Sequence, residues 1–245
     1  MSGRQRIDGQ IAWVLHSYPY SETSLIIDVF SRDHGRLPLM ARGARRPRSA
    51  LRGVLQAFQP IELAWFGAGE VRTLAKAEWV GGMPLLGGAA LMLGYYVNEL
   101  LLKLLPREDA HPALFDAYAA SLQALSRGEA HESRLRLFEK TLLKELGYGL
   151  ALERDAASGE PVLAGRHYQY LIERGPVEAS SLPDAAEGAP VRSIRGKTLL
   201  DLAQDDYSDA QTLVESKALM RRLINHHLAG QPLQSRRVFI ELQEL

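Results

Sequence analysis

Short runs in which apolar and polar residues alternate fill the amino-terminal part of the chain and stop at Gly81-Gly82-Met83-Pro84. Alternation with a period of two places every second side chain on the same face, so each run predicts a half-buried β-strand. Five such strands are expected, beginning near residues 11, 25, 37, 61 and 71. After residue 84 the apolar residues recur every three or four positions, which predicts helices. The chain is therefore expected to be an α+β protein.

The spacing of the five predicted strands restricts the fold further. Turns at Asp33-His34-Gly35 and Gly67-Ala68-Gly69 join neighbouring strands, whereas a longer excursion separates the third strand from the fourth. This order is typical of a small closed β-barrel of the OB type, and an SH3-like barrel would give nearly the same pattern. We expect an OB-type domain at residues 1–80 and a mainly α-helical domain at residues 81–245.

Four helices are expected in the second domain. The longest covers residues 85–105, is apolar on almost every side and should be buried. Its polar residues Asn98, Glu99 and Lys103 argue against a membrane span. Between the helices, residues 148–192 are rich in glycine, proline, serine and alanine and predict an irregular insert. The remaining helices are expected at residues 112–125, 133–146 and 208–228.

Acidic residues gather just before the last predicted helix. Asp205, Asp206 and Asp209 could form a carboxylate metal site, but acids also favour the first turn of a helix. Ser208 and Gln211 have the spacing of a capping box at the same place. We therefore interpret this cluster as the beginning of a helix.

Charge is distributed unevenly along this neutral chain. Residues 1–60 contain nine arginines, no lysine and four acids, a net charge of +5, so residues 61–245 carry −5. Such a distribution is expected of a chain that binds a polyanion with one part. The excess is greatest in the excursion after the third strand, where residues 42–52 hold five arginines and no acid, namely Arg42, Arg45, Arg46, Arg48 and Arg52.

We name residues 42–52 the arginine loop, because the glycine, proline and serine within it argue against one continuous helix. Arginine carries a permanent charge and a planar fork of donors that fits phosphate oxygens. The arginine loop is therefore the main candidate for nucleic-acid binding. Arg72 and Lys76 on the fifth predicted strand are further candidates. The alternative is a solvated charged loop that binds nothing.

Aromatic side chains are candidates for stacking on bases. Trp13, Phe30, Trp65 and Trp79 include the expected stacking residues. Most aromatic residues of so small a barrel should nevertheless belong to its core.

Motifs for catalysis or metal binding are missing from the sequence. The chain has no cysteine, which excludes disulfides and thiolate metal sites and fits a reducing compartment. It has no Walker loop, no Gly-x-Ser-x-Gly elbow and no His-Glu-x-x-His motif. Adjacent helical residues lie about 100° apart, so His226 and His227 should not share a metal, and one should pack while the other faces solvent. We expect a protein that is not an enzyme and uses no cofactor or metal.

Seven short segments occur in a recognisable order. They are Leu15-His16-Ser17, Tyr20-Ser21-Glu22-Thr23-Ser24-Leu25, Asp28-Val29-Phe30, Ala41-Arg42-Gly43-Ala44-Arg45, Asn98-Glu99-Leu100, Leu146-Gly147-Tyr148 and Pro232-Leu233-Gln234-Ser235-Arg236. Together, over nearly the whole chain, they resemble the RecO family of bacterial recombination mediators.

This resemblance implies an amino-terminal OB fold, a helical carboxyl-terminal domain and a cytoplasmic, nucleoid-associated location. It also implies binding to single- and double-stranded DNA, annealing of complementary strands, and loading of the RecA recombinase onto DNA coated by single-strand binding protein, with RecR as a partner. Annealing would be electrostatic, because a cationic surface neutralises two phosphate backbones without a covalent step. Many family members carry a four-cysteine zinc site in the segment corresponding to residues 148–192. This chain cannot, so we expect its insert to be free of metal and not rigid.

The resemblance also implies a second surface, for the acidic and hydrophobic tail of single-strand binding protein. Arg136, Lys140 and Lys144 are spaced four residues apart and form a basic stripe on the predicted third helix. Arg136 and Lys140 of this stripe are the partner-binding candidates, and of the stripe only Arg136, within residues 135–139, resembles the family's partner-binding segment. Arg136 is expected to be at least partly exposed. The alternative is a solvated helix face with weak ion pairs.

Two other classes of protein remain possible on the residues alone. An RNA-binding or ribosome-associated OB-fold protein would share the basic barrel and would prefer structured RNA to single-stranded DNA. A transcription regulator would need a recognition helix, and no predicted helix has a basic face with base-reading residues at its start.

Overall fold

The computed structural model describes residues 6–129, 131–181 and 193–243. The chain forms two compact units, one of Met1–His131 with Pro232–Leu245 and the other of Glu132–Gln231. The predicted domain limits, residues 1–80 and 81–245, stay predictions.

Five strands of the first unit form a closed barrel in the order β1-β2-β3-β5-β4. All neighbouring strands are antiparallel except β3 and β5, and β1 pairs with both β2 and β4 to close the ring. Irregular register at two points lets the long strand β1 bend between its two partners. The strands are β1 Arg6–Pro19, β2 Leu25–Ser31, β3 Gly35–Ala41, β4 Pro60–Phe66 and β5 Arg72–Trp79, with the short helix α1 Leu51–Val54 between β3 and β4.

Alternate residues of these strands fill the barrel, as their period of two predicts. The fully buried core includes Ile27, Val29, Leu37, Leu39 and Ile61. In β5 the alternation predicts that Val71, Thr73, Ala75, Ala77 and Trp79 share one face, opposite Arg72, Lys76 and Glu78, and this prediction was wrong. A register irregularity where β4 pairs with β5 puts Leu74 in the core and leaves Trp79 mostly exposed.

Two helices, α2 Gly88–Leu104 and α3 Pro112–Ser126, follow the barrel. Asn98 of α2 is buried and donates from Nδ2 to the carbonyl oxygen of Leu15 in β1 at 2.9 Å, while its Oδ1 accepts from the Tyr118 hydroxyl at 2.6 Å. This side chain therefore joins both helices to the barrel. The helix predicted at residues 85–105 begins only at Gly88, so that Leu85 precedes it and is 77% exposed. The helix buries one face only, since Tyr95 is exposed.

A further helix, α7 Gln234–Gln243, completes the first unit and was not predicted. Its first amides need acceptors, because a helix leaves its amino-terminal N–H groups without intrahelical partners. Glu99 of α2 accepts from the amide of Gln234 at 2.8 Å and from the amide and hydroxyl of Ser235 at 2.9 and 2.7 Å. Lys103 pairs with the same carboxylate at 2.9 Å. Glu99 thus acts as the cap of a helix far away in sequence.

The second unit combines three helices with a small sheet, in which β6 lies between β7 and β8. Its core includes Leu143, Tyr168, Leu199 and Met220. The predicted capping box was wrong in its residue, because Asp209 and not Ser208 accepts from the amide of Gln211. The elements are α4 His131–Glu145, β6 His167–Leu171, β7 Gly175–Glu178, β8 Ile194–Arg195, α5 Gly196–Ala203 and α6 Ala210–His227, with a 3₁₀ turn at Ala179–Ser181.

The described part of the predicted insert is held together by one buried carboxylate. Asp155 accepts from the amides of Ala157 at 2.7 Å, Ser158 at 2.8 Å and Glu178 at 2.6 Å. Burial raises the pKa of Asp155, but these backbone hydrogen bonds outweigh it and hold the pKa below its usual range. Within residues 148–181 the predicted irregular insert thus contains β-strands as well as this hydrogen-bonded carboxylate. That the insert is not rigid stays a prediction, and residues 182–192 lie outside the described residues.

Among the helices of residues 6–129, 131–181 and 193–243, none combines the length and the apolar character that a membrane crossing requires.

Candidate nucleic-acid interface

The arginine loop leaves β3 at the end of the barrel and is fixed there by its backbone. Gly43 has a φ of +70°, a conformation that glycine adopts without strain. The next residue, Ala44, is 1% exposed and belongs to the barrel core, which anchors the loop. Two turns follow, closed by hydrogen bonds from Arg46 to Gly43 at 3.1 Å and from Ser49 to Arg46 at 3.0 Å. The predicted loop is confirmed, with only the single-turn helix α1 at its end.

All five arginines of the arginine loop are exposed. None of them pairs with an acid of the described residues, whereas most other basic side chains near the barrel do. Arg45 differs from the others, because its amide donates to the Thr23 carbonyl at 2.9 Å and its guanidinium to the Ser21 carbonyl. Arg45 therefore ties the loop to the β1–β2 turn, and Arg42, Arg46, Arg48 and Arg52 present their charges to solvent.

The two other predicted cations are already paired. Arg72 contacts Glu108 at 2.8 Å, and its side chain is 20% exposed. Lys76 contacts Glu78 at 2.8 Å on the same strand, and this hydrogen bond raises the pKa of Lys76. A phosphate would have to displace these carboxylates, so both residues are less available than the arginine loop. Their role in nucleic-acid binding stays a prediction.

Three of the four aromatic residues expected to stack on bases are buried. Trp13, Phe30 and Trp65 lie within the protein, and Trp13 and Phe30 make edge-to-face contacts with aromatic rings of α3. The expectation of base contact is wrong for these three, because α3 covers the outward faces of the first two and Trp65 fills the barrel. Only Trp79 is exposed, with its indole N–H donating to Gln59 at 3.4 Å.

Sequence reasoning missed two exposed aromatic residues beside the arginine loop. Tyr18 at the end of β1 and Tyr20 in the following turn are 43% and 59% exposed. Tyr20 lies in the turn to which Arg45 donates its hydrogen bonds. For Tyr20 a signal was present, since segments that connect strands run over the protein surface.

The basic stripe on α4 does not form an open surface. Arg136 is only 7% exposed and its Nη2 pairs with Glu139 Oε1 at 2.9 Å, so the expected exposure of Arg136 is wrong. Glu139 lies three residues on, on the same buried side of the helix. Lys140 is also engaged, because its ammonium donates to the Leu202 carbonyl at 2.8 Å and pairs with Asp205. Of the stripe, only Lys144 is exposed.

The two adjacent histidines behave as predicted. His227 stacks on Tyr148 with ring centroids 3.9 Å apart, and His226 faces solvent beside Glu173. Burial lowers the pKa of His227, and the neighbouring His226 lowers it further. Across the described part of the chain, no three histidine or acidic side chains are arranged to hold a metal ion.

Comparison with known proteins covers almost all of this chain. Residues 9–83 match the family described as Recombination protein O N terminal, and residues 87–237 match Recombination protein O C terminal. Proteins named DNA repair protein RecO from Aromatoleum aromaticum and Azoarcus sp. (strain BH72) are 60% and 58% identical, each over the full length of both chains. A protein of the same name from Ralstonia nicotianae is 53% identical over 98% of this chain and 86% of its own. The chain therefore belongs to the RecO family of DNA repair proteins.

Proposed function

We propose that this protein is a DNA-binding recombination mediator. In this proposal it anneals complementary single strands and helps to load the RecA recombinase onto DNA coated by single-strand binding protein. The observation that carries the proposal is the arginine loop, where five exposed arginines without an acidic partner among the described residues stand on a rigid barrel end. Membership of a family of DNA repair proteins supports it.

We further propose that the barrel is of the OB type. The strand order and the parallel contact of β3 with β5, at Leu39–Arg72 and Met40–Thr73, support this assignment. Barrels of this kind bind single strands by combining cationic loops with an exposed sheet face. The arginine loop then neutralises the phosphates of two strands and lowers their repulsion, without a covalent step and therefore without catalytic residues.

RecR and the acidic tail of single-strand binding protein remain the proposed partners. The tail site needs a different form from the one the sequence suggested, because Arg136 and Lys140 already have partners. A tail carboxylate could bind there only by exchanging with Glu139 or Asp205.

Replacement of Arg42, Arg46 and Arg48 by alanine tests the role of the arginine loop. Arg45 is left in place because it holds the β1–β2 turn. For each phosphate that the variant no longer neutralises, the dependence of log K on log salt should flatten by about 0.7 for single-stranded DNA, and binding should weaken about equally for all sequences. Binding constants measured by fluorescence anisotropy at several salt concentrations give this slope.

The matched control replaces Arg134, Arg174 and Arg221, three exposed arginines of the second unit, and removes the same charge. It should leave the slope as it is in the unsubstituted protein. If the two triple variants had equal slopes of log K against log salt, the arginine loop would not be part of the DNA interface.

A further inference from the structure

The outer face of β1, β2 and β3 has a part that neither helix covers. Directly opposite residues of neighbouring strands project from the same face. Tyr18 pairs with Ile26, and Ile26 pairs with Met40, so these three side chains form one row across three strands. Their neighbours Ile27, Leu39 and Ala41 point into the barrel core, which makes this the outer face. We name Tyr18, Ile26 and Met40 the outer row.

Further along the same face, α3 covers the strands. Phe30 lies on it two pairs further along β2 and is fully buried against Phe115 and Tyr118 of α3. At the outer row, by contrast, Ile26 and Met40 are half-buried and Tyr18 is exposed. With strands about 4.8 Å apart, the row is about 10 Å wide. An apolar strip of that width, with one exposed ring, fits the flat face of a nucleobase.

Two side chains border Tyr18 on the outer face. One is the buried carboxylate of Asp28, which lies two residues along β2 from Ile26 and 3.7 Å from Arg36. The other is His16, whose ring meets the Tyr18 ring edge to face with centroids 4.4 Å apart. A ring that already packs against a neighbouring ring loses less conformational freedom when a base stacks on it.

Positive charge borders the outer row on both sides. Met40 is followed after one residue by Arg42, where the arginine loop begins, and Arg45 binds the turn that follows Tyr18. On the other side, Arg36 lies 3.7 Å from Asp28 and forms a backbone bridge with the exposed Arg107. A strand whose phosphates contact the arginine loop would therefore place its bases over the outer row.

We propose that the outer row is the base-binding surface of this protein and that Tyr18 stacks on an unpaired base of single-stranded DNA. This inference rests on the proposed function. Duplex DNA cannot use the row in the same way, because its bases are already stacked and paired, and extruding one costs a few kcal/mol. The row therefore adds a preference for single strands to the sequence-independent attraction of the arginine loop.

The test compares two probes of equal length, an oligothymidylate and a strand of abasic sites with the same phosphates. The unsubstituted protein should bind the oligothymidylate more tightly. Tyr18→Ala should weaken that binding about fivefold or more, the effect of losing one stacked base, while the abasic strand and the salt slope change little. Tyr18→Phe, which keeps the ring, should retain most of the difference between the two probes. Tyr148→Ala, at an exposed tyrosine of the second unit, is the control.

The experiment distinguishes failure of the proposed function from failure of the stacking role of Tyr18. Failure of the unsubstituted protein to bind either probe would contradict the proposed function itself. Binding of both probes with no selective effect of Tyr18→Ala, or with equal weakening on both probes, would overturn the stacking role alone. Photocrosslinking of the unsubstituted protein to a strand containing 5-iodouracil needs no variant. Adducts at Tyr18 support the inference, and adducts confined to other residues such as Trp79 or Tyr95 overturn it.

Discussion

Reversal of Arg136 to glutamate should unfold part of the second unit. Arg136 and Glu139 form an ion pair at 2.9 Å, and their side chains are 8% and 1% exposed. Breaking a buried pair by removing one partner costs about 3–5 kcal/mol, because the remaining charge has neither its partner nor water around it. Arg136→Glu should cost at least this much, since it adds a second carboxylate at the same place.

Two controls separate the ion pair from simple loss of packing. The exchange Arg136→Glu with Glu139→Arg restores opposite charges and should recover part of the stability. The apolar pair Arg136→Met with Glu139→Leu should be near neutral, because desolvation of a buried ion pair cancels most of its attraction. Lys144→Glu, at the exposed member of the basic stripe, should change stability by less than about 0.5 kcal/mol.

Amide hydrogen exchange within α4 is the appropriate assay, because a chain with two compact units need not unfold in one step. Protection in α4 should fall sharply for Arg136→Glu and stay unchanged for Lys144→Glu. A cost below about 1 kcal/mol for Arg136→Glu would refute the reasoning and would mean that Arg136 behaves as a surface cation.

The remaining predictions concern two hydrogen-bonded carboxylates, the half-buried Glu99 and the buried Asp155. Burial raises the pKa of Glu99, but hydrogen bonds from Ser235 and Lys103 outweigh this effect and lower the pKa. The ionised Glu99 therefore stabilises the folded state above the unfolded-state pKa of about 4.3, and this stabilisation is lost as the pH falls through the folded-state pKa. Glu99→Gln should lower the free energy of opening of α7, measured by amide hydrogen exchange, by about 1–2 kcal/mol at pH 7 and by less at pH 3.5. The same loss at both pH values would contradict this prediction. Asp155→Ala leaves three backbone N–H groups without their acceptor and should cost about 2–4 kcal/mol in urea unfolding of the second unit, with Asp155→Asn costing less. The pKa of Asp155 is also lowered, so the stabilisation by its carboxylate is present above a pH of about 3.9 and is lost in acid. If Asp155→Ala were as stable as the unsubstituted protein, Asp155 would not be the residue that organises this segment.

Structural features that depend on residues adjacent in the sequence could be predicted. The arginine loop is one, because closely spaced charges with interrupting glycine and proline residues define both its conformation and its exposure. The strands are another, because their alternation is a local pattern. The parallel contact between β3 and β5 joins residues that no short pattern connects, so the sequence left an OB-type and an SH3-like barrel as alternatives.

Features set by distant residues could not be predicted. Helix α7 begins with amides whose acceptor, Glu99, lies 135 residues earlier, so no capping signal stands next to it in the sequence. The spacing of Arg136 gives a helix face but does not say whether that face is buried. Asp155 is one polar residue in a segment without periodicity, and one of its three amide donors, that of Glu178, lies 23 residues away.

Annealing of complementary oligonucleotides that are both coated with single-strand binding protein tests the central claim most directly. We predict that the unsubstituted protein accelerates the pairing of coated strands. The variant lacking Arg42, Arg46 and Arg48 should lose this acceleration, and the control variant lacking Arg134, Arg174 and Arg221 should keep it. Coated strands that pair no faster with the unsubstituted protein than without it, under conditions where it binds bare DNA, would contradict the mediator function.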